Sequence, residues 1–118
     1  MIIIQDANGA QSALKTATNA GTVIDLASPP ELSAAMGPSL FAERIAILKS
    51  AYPAALGNAW FYCGDKAGLA IATIRHGGVG IIIDLPNATA IKITEMAAEK
   101  GVNVIDAKEF FTRIMPAS

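Results

Sequence analysis

The chain of 118 residues has a single cysteine, Cys63, and a single histidine, His76. One cysteine excludes an internal disulfide and any cysteine-based metal site, and it favours a reducing compartment. Without a cysteine pair, a second histidine or a standard cofactor fingerprint, several enzyme classes fall away, and no metal or cofactor is assigned. Charge is also scarce: nine Lys plus Arg face ten Asp plus Glu, a formal net charge of −1, with no run of either sign. Nothing in that balance draws the chain to nucleic acid or anionic lipid, so neither is expected as a partner. No apolar stretch approaches the roughly 20 residues that span a bilayer. The opening Met1-Ile2-Ile3-Ile4-Gln5-Asp6 enters a short apolar run with no basic leader or small-residue cleavage site. No signal peptide and a cytoplasmic location are therefore expected.

What is abundant is apolar, with 53% hydrophobic residues and 10 Gly besides, much of it alanine. Alanine-rich helices on a sheet buried on both faces would use that excess, and so would a subunit interface. A homo-oligomer is therefore expected. The length suits one domain, residues 1–118, with a single core.

Three segments share one local grammar of glycine, strand and aspartate: Gly21 to Leu26 with Asp25, Gly80 to Leu85 with Asp84, and Gly101 to Ala107 with Asp106. A glycine ends a helix, apolar and β-branched residues form a strand, and an aspartate at its end turns the chain toward the next helix. Ala59 to Asp65 is a fourth version, and Ile2-Ile3-Ile4 reads as a further strand. Between them lie helical stripes: Ala10, Ala13, Leu14 and Ala17; Phe41, Ile45, Leu48 and Tyr52; Ile71 and Ile74. Residues 88–100 form another helix, and Asp106-Ala-Lys-Glu109 reads as a capping box for a last one holding Phe110, Phe111 and Ile114. Five βα units with consecutively apolar strands predict an α/β fold with a parallel sheet and helices on both faces. Its simplest order is flavodoxin-like or Rossmann-like, with half of a βα barrel as the alternative. The proline-rich segment 27–39 is a long loop with one helical turn, the candidate lid.

In parallel α/β folds ligands bind at the carboxyl ends of the strands, where following helices point their N-termini. Gln5, Asp6, Asn8, Asp25, Ser28, Cys63, Asp65, Lys66, Asp84, Asn87 and Asp106 fall on that edge. Arg75 and His76 close a helix at the other edge, where they suit its dipole better than catalysis. The glycine-rich Gly77-Gly78-Val79-Gly80 also precedes its strand, so it lies at the wrong edge for a phosphate loop. Cys63 has two readings. As a thiol at a strand-to-helix turn beside Lys66 it is a nucleophile with a lowered pKa; otherwise it packs as a small hydrophobe, with Asp65 as an ordinary N-cap. The aspartates likewise read either as helix caps or as a rim that orients a polar ligand. Asp84 is the least convincing cap, because Leu85 and Pro86 intervene and Asn87 is available. Trp60, Phe61 and Tyr62 read as core, with the Tyr62 hydroxyl near the functional rim.

Thr22-Val23-Ile24-Asp25-Leu26 with Glu31, together with Phe61-Tyr62-Cys63, is similar in outline to rhodanese-like sulfurtransferases, which implies a persulfide-carrying Cys63. The chain departs from that family's active-site loop, with Lys66 where a glycine is needed, Gly68 where an arginine is, and Ala27 in place of the arginine after the first aspartate. Cys63-Gly64-Asp65-Lys66-Ala67-Gly68, the loop 28–38, and Leu69 to Gly77 resemble small uncharacterised bacterial α/β proteins across about three-quarters of the chain, a resemblance that implies no activity.

Three functions follow, in this order. The first is a small-molecule-binding domain using Asp25, Ser28, Cys63, Gly64, Asp65 and Asp84 under the 27–39 loop. The second is a non-enzymatic oligomeric or partner subunit. The third is an enzyme with Cys63 as its nucleophile.

Overall fold

A computed structural model describes residues 2–3, 7–31 and 33–114. Among these, five strands form one parallel sheet: β1 (Ile2–Ile3), β2 (Ile24–Ala27), β3 (Leu56–Gly64), β4 (Gly80–Ile83) and β5 (Val104–Asp106). Six helices alternate with them: α1 (Ala7–Ala20), the short α2 (Ser33–Met36), α3 (Pro38–Ala51), α4 (Ala67–His76), α5 (Asn87–Glu99) and α6 (Ala107–Ile114). Gln5 and Asp6 lie outside the described residues. No helix among the described residues is long and apolar enough to cross a membrane.

The three-layer α/β arrangement with an open parallel sheet is the one the consecutive apolar strands predict. Every residue of β4 is buried, as a strand covered on both faces must be. The strand order corrects the finer expectation. It runs β1-β2-β3-β4-β5, neither flavodoxin-like nor Rossmann-like, and shares its sequential order with the half-barrel alternative. When parallel neighbours are joined by crossovers of one hand, their helices fall on one face. Accordingly Leu14 of α1, Phe41 and Ile45 of α3, Ile74 of α4 and Ile93 of α5 share one core with Leu26, Phe61, Cys63, Ile81 and Ile83. Phe41 meets Phe61 with ring centroids 5.3 Å apart.

The other face is covered differently. Ala27, Trp60, Ile82 and Ile105 pack with Ala107 and Phe110 of α6, the helix that follows the last strand and so makes no crossover. Trp60 is 4% exposed, and its benzo ring occupies the space above Gly80, where a Cβ would lie 2.6 Å from the ring. Its Nε1–H has no hydrogen-bond partner among the described residues.

Two register shifts shape β3. Ile24 pairs with Leu56 and Leu26 with Ala59, so Asp25 alone opposes Gly57 and Asn58. Tyr62 pairs with Ile82 and Gly64 with Ile83, which leaves Cys63 as the extra residue. The large apolar side chains most exposed among the described residues are Ile47 of α3 at 68%, Val23 in the turn before β2 at 64% and Ile91 of α5 at 60%. Exposed apolar residues are common on a folded surface.

Candidate functional site

The structure separates the residues assigned to one rim. Asp25 is the second residue of β2 rather than its end, and its Oδ1 accepts from the Asn58 amide at 2.8 Å. That amide belongs to the two-for-one bulge, so the carboxylate satisfies a donor the irregular ladder leaves over. Asn58 and Gly64 lie about 20 Å apart along β3 at the usual strand rise, which removes Asp25 from the carboxyl edge.

Ser28 does sit at the end of β2, but it is fully buried and fully engaged. Its Oγ accepts from the Tyr62 amide at 2.9 Å and lies 2.7 Å from the Ser33 Oγ, while Ser33 donates to the Pro29 carbonyl at 2.9 Å. Because the single Ser33 hydroxyl proton is spent on Pro29, Ser28 must be the donor between the two serines. The polarity of the chain is thus set from Tyr62 through Ser28 and Ser33 to Pro29. These bonds tie Ser28, Pro29 and Ser33 to β3. The segment read as a lid contains the one turn expected of it, α2, but α3 already begins at Pro38.

Cys63 is 2% exposed and belongs to the core beneath the helix layer. Its Sγ lies 3.7 Å from both the Phe61 carbonyl and the Thr73 Oγ1. Burial pushes the thiol up from its ordinary value near 9 to about 11, against a smaller downward effect of the Thr73 hydrogen bond. This is opposite to the lowered value a nucleophile at a helix end requires, and the backbone explains why. The residue points into the sheet–helix layer while the chain turns only at Gly64, whose φ of 57° is left-handed. Native Cys63 should therefore react with thiol reagents only as fast as the protein opens. A folded pKa above the unfolded one means this residue's contribution to stability is intact below pH 9 and is lost between about pH 9 and 11. Modification rates measured with and without denaturant check the first point. Rapid native modification at pH 7 would contradict it.

The caps also differ from expectation. Asp106 accepts from the Lys108 amide at 2.8 Å and caps α6, but Glu109 pairs with Arg113 at 2.7 Å rather than closing a capping box. At α4 the N-cap position is Lys66, not Asp65, and at α5 it is Pro86, not Asn87; neither helix has a side-chain cap. Asp65 and Asp84 are exposed, and among the described residues their carboxylates have no hydrogen-bond or ion-pair partner.

What the carboxyl edge does bring together is Tyr62, Asp65, Asp84 and Asp106, from the ends of β3, β4 and β5. The Tyr62 pKa is raised by partial burial and then by the negative charges of Asp84, Asp65 and Asp106. Gly64 fixes this corner: its carbonyl accepts from the Asp84 amide at 2.8 Å, and a Cβ there would lie 2.9 Å from the Tyr62 ring. The Tyr62 ring rests against Phe110 and Phe111, with centroids 5.6 and 6.2 Å away. Phe111 is 41% exposed, so the corner has an accessible aromatic face. Phe111 and Asp106 were legible as a last helix and its cap, but nothing local joined them to Tyr62.

The opposite edge holds an open cavity of about 390 Å³, at the amino ends of β3, β4 and β5. Gly78, Val79 and Gly80 form part of its wall, so the glycine-rich stretch lies at the edge expected for it. Groups of three or more His, Cys, Asp or Glu side chains disposed to hold a metal ion are absent among the described residues. No family model, no curated protein and no solved structure matches the chain.

Proposed function

We propose that the protein is a small-molecule-binding domain whose carboxyl-edge corner, formed by Tyr62, Gly64, Asp65 and Asp84, takes a small zwitterion. The supporting observation is that the charges of Asp84 and Asp65, carboxylates without a partner among the described residues, act on the Tyr62 hydroxyl at the strand end that leads into the uncapped α4. An organic ammonium would be held by the carboxylates and by the faces of Tyr62 and Phe111. An acid group on the same molecule would meet the free amides in the first turn of α4, beside Gly68. Compared with the sequence expectation, this reading keeps Gly64, Asp65 and Asp84, adds Tyr62, and gives Asp25, Ser28 and Cys63 structural duties.

L-Phenylalanine is the probe, followed through the amide signals of the ¹⁵N-labelled protein. Saturable shifts are expected at Gly64, Gly68 and Asp84. Asp84→Asn should weaken binding about tenfold, the worth of one charge-assisted hydrogen bond. Phenethylammonium, which lacks the acid group, should bind more weakly. Absence of saturable shifts at those amides, or an unchanged response in Asp84→Asn, overturns the reading.

A further inference from the structure

We propose that the cavity at the amino edge of the sheet is a second, independent ligand site, selective for small aromatic carboxylates. Its volume of about 390 Å³ falls within the range of small-molecule pockets, roughly 300 to 1,000 Å³. The lining divides by chemistry. Ile45, Leu56, Val79 and Val102 supply apolar wall, Asn58 and Asn103 polar wall, and Lys49 and Lys100 line the same cavity. Lys49 is held in place: its Nζ donates to the Leu56 carbonyl at 2.5 Å, which leaves two of its three donors for a ligand. Lys100 is exposed at the C-terminus of α5 and has no ion-pair partner among the described residues.

Gly78 and Gly80 contribute wall without side chains, and Gly78, at φ 86°, lies in the left-handed region where a larger residue would be strained. A wall that is apolar in part and carries two lysines suits a flat hydrocarbon ring with one anionic group. The C-termini of α3 and α5 at this edge carry partial negative charge, which the lysines offset, so a single carboxylate fits better than a multiply charged anion.

Benzoate is the test ligand, with benzamide as its uncharged isostere, and the glycine amides report which edge is occupied. Benzoate should shift Gly57, Gly78, Gly80 and Gly101 saturably and leave Gly64 and Gly68 unmoved. Benzamide should bind about fivefold more weakly, and Lys100→Gln should weaken benzoate by about the same factor, as for a solvent-exposed ion pair. Ala46→Met, on the wall contributed by α3, should block the cavity while both lysines are retained. The proposal is overturned if benzoate produces no saturable shift, if its shifts centre on Gly64 and Gly68, if benzamide binds equally well, or if Ala46→Met leaves binding unchanged. Because the zwitterion is read at Gly64 and Gly68, failure at one edge leaves the other untouched.

Discussion

Gly80→Ala, the smallest substitution available at that position, is expected to destabilise the protein by about 3 kcal/mol, the upper end of typical overpacking costs. The added Cβ would stand 2.6 and 2.7 Å from two Trp60 ring carbons and 3.1 Å from the Asn103 carbonyl oxygen. Neither neighbour yields easily. Asn103 presents backbone that accepts from the Ile81 amide at 2.9 Å, and the Trp60 ring is closed in beside α6. The same geometry predicts rescue. Trp60→Phe removes ring volume, and it also removes an indole N–H that is buried without a partner, a defect costing about 1 to 3 kcal/mol in general. The double variant should therefore be more stable than Gly80→Ala alone, a coupling read from denaturant titrations as a double-mutant cycle. Additive losses would show that Trp60 and Gly80 are not matched.

Phe110→Ala should be more damaging, at about 3 to 5 kcal/mol for a buried phenylalanine. Phe110 is fully buried and is the largest side chain by which α6 covers the second face. Its ring packs at a tilt against Phe111, with centroids 5.1 Å apart, and against Tyr62 at 5.6 Å, so the loss reaches the carboxyl-edge corner as well as the core. A domain's whole stability is commonly about 5 to 15 kcal/mol, and a loss of this size brings it near unfolding. Trp60 is the only tryptophan, which gives the readout. Its emission should shift to longer wavelength at denaturant concentrations where the wild-type signal is unchanged. An unchanged emission and midpoint would mean that α6 does not bear the second face.

The layered α/β architecture was legible because its cause is local: isoleucines on consecutive positions in Gly80 to Ile83 suit only a strand covered twice. Strand order was not, since nothing within a βα unit states which neighbour it joins. The helix stripes were read from spacing, and Leu14, Phe41, Ile45 and Ile74 all face the core. The aspartates were harder. One residue type serves three purposes: Asp106 caps a helix, Asp25 satisfies a bulged amide, and Asp65 and Asp84 stand free. Their sequence contexts are nearly alike, and only the register of β3 against β2 and β4 tells them apart. Cys63 lies in the core and not at the turn for a related reason, because the register shift at Tyr62 to Gly64 delays the turn by one residue. The Tyr62 hydroxyl was expected near the rim, and the carboxylates around it agree. The glycine stretch before β4 was set aside as a phosphate loop because it precedes a strand and not a helix, and its place in the wall of the amino-edge cavity depends on which strands lie side by side.

Sequential order also bears on how the chain is assembled. Each strand joins the edge left by the strand before it, so none has to be inserted between two that are already paired. The sheet can grow in the direction of synthesis, with every crossover closing a short loop and little entropy lost at each step. Among the described residues α6 alone is a helix that must reach back across the reverse face, and its arrival encloses Trp60.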